Sequence, residues 1–184
     1  NLIAAYNAST QTGKFQKYYE ALQRADPRNE DLDWDGDGIK DGDEVLGTLG
    51  GLNLPAMGVN PLRKDLLLEY DWFNDDLECG AHSHRPTTAT IASATAAFSA
   101  SPVSNPGITD GVHLVNDYGQ GGAFTGGNQI NDANGVIDGG VNGAEYLSYK
   151  AANFASNRNG YFHYVLLLHN YNTNSTSSGQ AELQ

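Results

Sequence analysis

The chain carries aspartate at every second position from Asp33 to Asp37 and follows it with Asp41 and Glu44, a spacing suited to wrapping one hard cation. With Asp33 as the first of twelve places, carboxylates stand at the first, third, fifth and ninth, and Glu44 at the twelfth can bind through both oxygens. Gly38 at the sixth place permits the sharp turn, and Ile39 at the seventh offers its backbone carbonyl. Calcium takes about six to eight oxygen donors in a forgiving geometry, whereas magnesium demands a stricter octahedron. The expected ligands are therefore Asp33, Asp35, Asp37, Ile39, Asp41 and Glu44, with calcium as the ion. A plain acidic turn would not need every ligand place filled. Pro27 and the stretch from Glu30 to Leu32 make a poor entering helix, so the loop is closer to those of extracellular modules, where calcium stabilises instead of signalling.

Other donor groups are less regular. The stretch from Asn131 to Gly139 holds Asp132, Asn134 and Asp138 but lacks the spacing and the acid at the twelfth place, so a plain turn explains it as well as a second cation does. Cys79, His82 and His84 would need a fourth donor from the fold to bind zinc, and half of a structural zinc pattern is missing. Surface histidines beside an acidic turn are the cheaper reading. His163 and His169 share strand parity around a leucine run, as polar residues at strand ends often do. The sequence contains no His-Glu-x-x-His in either direction, no Gly-x-Ser-x-Gly and no phosphate loop, so no catalytic constellation is visible.

The elements that must position these groups follow from periodicity. Phe15, Tyr18, Tyr19 and Leu22 predict a helix over Lys14 to Arg24, ended by Asp26-Pro27. After the acidic loop, Glu44 to Leu49 reads as a short exit helix that Gly50-Gly51 breaks. Asp65 to Phe73 contains Leu66, Leu67 and Leu68 in an apolar run ending in Tyr70, Trp72 and Phe73, and reads as a buried strand. Ile91, Ala94 and Phe98, recurring at intervals of three and four in an alanine-rich background, predict a helix over Thr87 to Ala100 that Pro102 stops. Gly111 to Asp117 alternates as a strand, and a glycine-rich loop runs from Tyr118 to Gly143. Ala144 to Ala155 is a helix with Leu147, Ala151 and Phe154 aligned, and Phe162 to Tyr171 a third strand.

This alternation predicts an α/β fold: a mixed, largely parallel sheet with helices packed on it, preceded by the N-terminal helix and the calcium loop. A length of 184 residues suits one domain, with residues 1–50 carrying the helix and loop and residues 60–184 the α/β part. The polar stretch from Asn172 to Gly179 leads to Gln180 to Gln184, which reads as the start of a further strand.

With 22 acidic against 10 basic residues the net charge is -12, which repels phosphate backbones and anionic lipid, so nucleic acid is an unsuitable partner. No apolar run approaches the ~20 residues that span a bilayer, so no membrane insertion is expected. The sequons at Asn7 and Asn174 fit an extracellular or cell-surface protein, in which the lone Cys79 would either pair with a cysteine outside this sequence or stay a buried free thiol.

Several segments agree with one family. The acidic loop, then Leu54-Pro55-Ala56-Met57-Gly58-Val59-Asn60-Pro61, then Arg63-Lys64-Asp65-Leu66-Leu67-Leu68-Glu69-Tyr70-Asp71-Trp72 resemble bacterial secreted zinc metallopeptidases of the metzincin-like type. Ala97 to Pro106, Val112 to Gly119, Lys150 to Phe154 with Phe162-His163-Tyr164, and Ser178 to Glu182 extend the resemblance over most of the chain from about residue 31. In that family a zinc-binding helix with a general-base glutamate follows the last of these segments. The resemblance thus implies the calcium-binding front part of a peptidase-like protein. It would not be catalytic by itself, would hold zinc only if a downstream segment exists, and would have that missing C-terminal fragment as a partner. The alternative expectation is a calcium-stabilised structural subunit of a filament, surface layer or adhesion module, associating with identical subunits.

Overall fold

The computed structural model describes residues 32–76, 80–107, 109–132 and 135–171. The helix expected over Lys14 to Arg24, both sequons, Cys79 and Gln180 to Gln184 lie outside the described residues.

The described elements are helix α1 (Asp41–Leu46), a 3-10 turn (Leu54–Met57), strand β1 (Asp65–Asp75), strand β2 (His82–Ser83), helix α2 (Thr88–Ser99), strand β3 (His113–Asp117) and strand β4 (Gln129–Ile130). A 3-10 turn (Gly140–Asn142), helix α3 (Ala144–Asn153), a 3-10 turn (Ser156–Arg158) and strand β5 (Phe162–Leu167) complete them. The strand, helix, strand, helix, strand order is that of an α/β chain, and the five strands form one open mixed sheet with β1 at its centre.

Strand β1 pairs in parallel with β5 from Leu67↔Phe162 to Trp72↔Leu167, and in parallel with β4 at Trp72↔Gln129 and Phe73↔Ile130. Trp72 faces both partners, so β4 and β5 occupy opposite edges of β1. The far end of β1 turns back antiparallel onto β2, with Asp75 opposite His82. Side chains alternate along a strand. One face of β1 therefore carries Asp65, Leu67, Glu69, Asp71, Phe73 and Asp75 in sequence, four acids among two large apolar residues. Leu67 and Phe73 are fully buried, and full burial of such side chains stabilises by about 1.5–3 kcal/mol each.

The chain falls into two compact units, Asn1–Leu66 with Ala92–Val115, and Leu67–Ile91 with Asn116–Gln184. In the first, Leu52, Leu54, Met57 and Val59 are buried together with Leu114 and Val115 of β3. In the second, the core is aromatic: Tyr164 lies 5.8 Å from Tyr146 and 5.5 Å from Phe154 between ring centroids, and Phe73 meets Tyr149 edge-on at 5.4 Å.

Two helices bury little of their surface. No residue of α2 is buried, and Phe98 is 38% exposed; its small residues are spread around the helix and do not gather on one apolar face. In α3 Leu147 is half exposed, and Tyr146 is the buried residue. The aromatic rings, larger than leucine and able to reach Tyr164, decide which side of the helix faces the sheet. The third strand ends at Leu167, so His163 and His169 do not share it.

Candidate metal centres

The acidic loop folds as a chain of side-chain-to-backbone hydrogen bonds. Asp33 accepts through Oδ1 from the N–H of Gly36 at 2.7 Å and of Asp37 at 3.2 Å, and through Oδ2 from Gly38 at 2.9 Å. Asp35 Oδ1 accepts from Asp37 N–H at 3.1 Å, and Asp37 Oδ1 from Ile39 N–H at 2.7 Å. Gly38 sits at φ 94°, a left-handed conformation that glycine takes without strain, so the sixth place does what its identity predicts. The loop then enters α1, whose first residue Asp41 accepts the N–H of Trp34 through Oδ1 at 2.9 Å.

Carboxylate oxygens of Asp33, Asp35 and Asp37 come within 4.8 Å of one another, and a second such group joins Asp37 to Glu44 and Asp65. Asp37 belongs to both. Asp65, the first residue of β1, lies far outside the twelve places and was not expected to take part. Its N–H donates to Asp37 Oδ2 at 2.7 Å, and its own carboxylate receives Asn60 N–H at 3.0 Å and contacts His113 Nδ1. The signal in the sequence was an aspartate opening the strand directly before the apolar run Leu66-Leu67-Leu68. Asp41 is wholly buried but stands outside both groups, and Ile39 is buried at the seventh place.

Asp35 and Glu44 are 4% and 1% exposed, yet Asp35 Oδ2 and both Glu44 carboxylate oxygens have no hydrogen-bond partner. A buried polar atom without a partner costs about 1–3 kcal/mol, more if charged. Burial, reinforced by Asp37 and Asp33, pushes Asp35 up from 3.8 to about 7. Burial and then Asp35, Asp37, Asp65 and Asp41 push Glu44 from 4.5 to about 10. Asp37 is raised for the same first reason. These three unpartnered oxygens are the kind that a divalent cation would satisfy.

The other stretches resolve differently. Asp132 accepts from Gly135 N–H at 2.8 Å and from the Tyr149 hydroxyl, and Asp138 N–H donates to Glu145 at 2.9 Å. His82 and His84, expected to be surface histidines, converge with Asp75 and His169 into a four-residue cluster whose donor atoms lie within 4.8 Å of one another. His163 is exposed and apart from it.

The remaining acids of β1 are balanced inside the fold. Arg158 places Nη1 2.7 Å from Glu69 and Nη2 2.6 Å from Asp117, all three side chains being nearly inaccessible. Its guanidinium also lies 4.4 Å from the Phe162 ring centroid. Burial raises Glu69 to about 7 against the opposing pull of Arg158. Gly126 backs onto this pair so closely that a Cβ there would strike the guanidinium. Asp71 accepts from the Tyr164 hydroxyl at 2.8 Å and from Asn128 N–H at 2.6 Å.

Among the described residues no helix is long and apolar enough to cross a membrane. No protein-family model, no curated protein and no solved structure matches the chain.

Proposed function

We propose that the chain is a calcium-binding protein in which the loop Asp33 to Glu44, completed by Asp65, holds one structural Ca²⁺. The observation that carries this reading is the unpartnered, buried oxygens of Asp35 and Glu44 at the third and twelfth places. Hard carboxylate donors select calcium over softer ions, and a site that joins the loop to Asp65, the first residue of β1, is suited to fixing the fold. Such sites in extracellular modules are weak and are filled by the calcium outside cells, which agrees with a secreted or surface location.

The wider setting rests on the resemblance to secreted zinc metallopeptidases. The acidic loop ahead of a central strand that is paired in parallel supports it. The sequence lacks the His-Glu-x-x-His of that family, so its residues do not fit the peptidase zinc, and peptide hydrolysis is not assigned to this chain. The exposed helix α2 favours, as a second reading, a structural subunit that uses this framework in an assembly. Sedimentation in calcium at high concentration separates the two, since a strictly monomeric chain is incompatible with the subunit reading.

Calorimetric titration of the metal-free chain tests the site. One Ca²⁺ should bind, Mg²⁺ more weakly, and at a hundredfold excess over Kd the fold should gain about 2.7 kcal/mol. Asp35→Ala should abolish that gain. Equal stability with and without calcium would refute the reading.

A further inference from the structure

We infer that Asp75, His82, His84 and His169 form a second metal site, for a borderline divalent ion of the zinc class, which clips the β1–β2 hairpin to the segment after β5. The ligand chemistry differs from that of the acidic loop: three imidazoles and one carboxylate suit zinc, whereas calcium prefers oxygen donors alone.

The cluster is compact. His84 Nε2 lies 2.8 Å from Asp75 Oδ2, and His82 Nε2 and His169 Nδ1 lie 3.3 and 3.7 Å from Oδ1. Ligand atoms about 2.0–2.1 Å from a tetrahedral zinc are about 3.3 Å from each other. The observed separations bracket that value. The three rings stand at steep angles to one another, 63° to 85°, with centroids 4.7 to 5.6 Å apart, so their nitrogens point inward without stacking.

The tautomer of His82 gives an independent argument. Its Nδ1 is 2.8 Å from the carbonyl oxygen of Gly80, which can only accept, so Nδ1 carries the hydrogen. Nε2 is then the ring nitrogen that faces the Asp75 carboxylate at 3.3 Å, and both could serve a cation between them. A backbone carbonyl holding the far nitrogen of a histidine is also the usual support of a metal-bound imidazole.

Backbone pairing fixes each donor. Asp75 and His82 face each other across β1 and β2, and His84 N–H donates to Phe73 O at 3.0 Å. Asn170, next to His169, bridges to Val136 and accepts Ile137 N–H at 3.2 Å. Gly135, at φ 67°, packs so close to Asp75 that an added Cβ would sit 2.9 Å from its Cβ. The parallel strands β1 and β5 end on the same side of the sheet, where ligands of α/β folds gather. Four protein donors leave no open position, so the role is structural.

The test is zinc titration of the metal-free full chain, with cobalt(II) as a spectroscopic substitute. One Zn²⁺ should bind per chain and raise the melting temperature, and cobalt should give the intense visible bands of a tetrahedral complex. His84→Asn and His169→Asn, checked for folding by circular dichroism, should each weaken zinc binding on the order of 100-fold. Asp35→Ala should leave zinc binding unchanged, so the calcium and zinc readings fail separately. Absence of stoichiometric zinc uptake by the folded wild-type chain, or uptake that both histidine variants retain, would overturn the inference.

Discussion

The backbone N–H of Asp65 donates to Oδ2 of Asp37 at 2.7 Å, so the first residue of β1 is tied to the fifth place of the acidic loop. Asp65 also brings a carboxylate to the group formed by Asp37 and Glu44. A calcium ion there would be held by the loop and by the sheet at once. Asp65→Asn should therefore lower calcium affinity about tenfold although the residue lies outside the loop. The calcium-dependent rise in melting temperature, compared between variant and wild type, checks it. An unchanged rise would confine the Asp65 carboxylate to its protein partners Asn60, Arg63 and His113.

The loop also sets a pH dependence. Without calcium, burial and the neighbouring carboxylates push Asp35 up from 3.8 to about 7 and Glu44 up from 4.5 to about 10. The folded state keeps protons that the unfolded chain has already released, so these groups reduce stability as pH rises from the unfolded towards the folded pKa values. Calcium requires the ionised forms and reverses the trend. The gap between melting temperatures with and without calcium should widen from about pH 5 to about pH 8. In Glu44→Gln the calcium-free slope should flatten. A calcium-free protein that gains stability over this window through Glu44 would contradict its burial.

Arg158 neutralises two buried acids, Glu69 and Asp117, at 2.7 and 2.6 Å. Arg158→Met keeps much of the volume over Phe162 and leaves both carboxylates without a cation. Removing one partner of a buried pair costs about 3–5 kcal/mol. Urea unfolding should show a loss of that order, of equal size with and without calcium. A loss below about 1 kcal/mol would indicate an exposed, weakly coupled pair.

The sequence made some of this legible and hid the rest for identifiable reasons. The acidic loop could be read because its donors are local, each place lying within twelve residues. The strand–helix alternation was equally plain, and β1, α2, β3, α3 and β5 fall where periodicity puts them, with ends shifted by a few residues. Strands β2 and β4 are two residues each and too short to show a period. The grouping of Asp65 with Asp37 and Glu44, and of His169 with His82 and His84 instead of His163, was not legible because these partners are distant in the chain and only the fold brings them together. The run from Leu66 to Phe73 read as simply apolar, which obscured Glu69 and Asp71 on the face shared with Leu67 and Phe73. Long charged side chains are compatible with such a core only when a distant Arg158 or Tyr164 meets them, and no local pattern announces that.

Strand β1 begins its pairing with β5 at Leu67 and Phe162, residues nearly a hundred positions apart. Closing so large a loop comes before the contacts that reward it, which makes folding slow and leaves the central strand waiting with unpaired edges. An apolar strand in that state is an invitation to pair with another copy. Before the fold closes, the acids of β1 would set like charges opposite one another in any pairing with an identical strand, which disfavours that pairing, whereas the native partners are the Arg158 guanidinium and the Tyr164 hydroxyl.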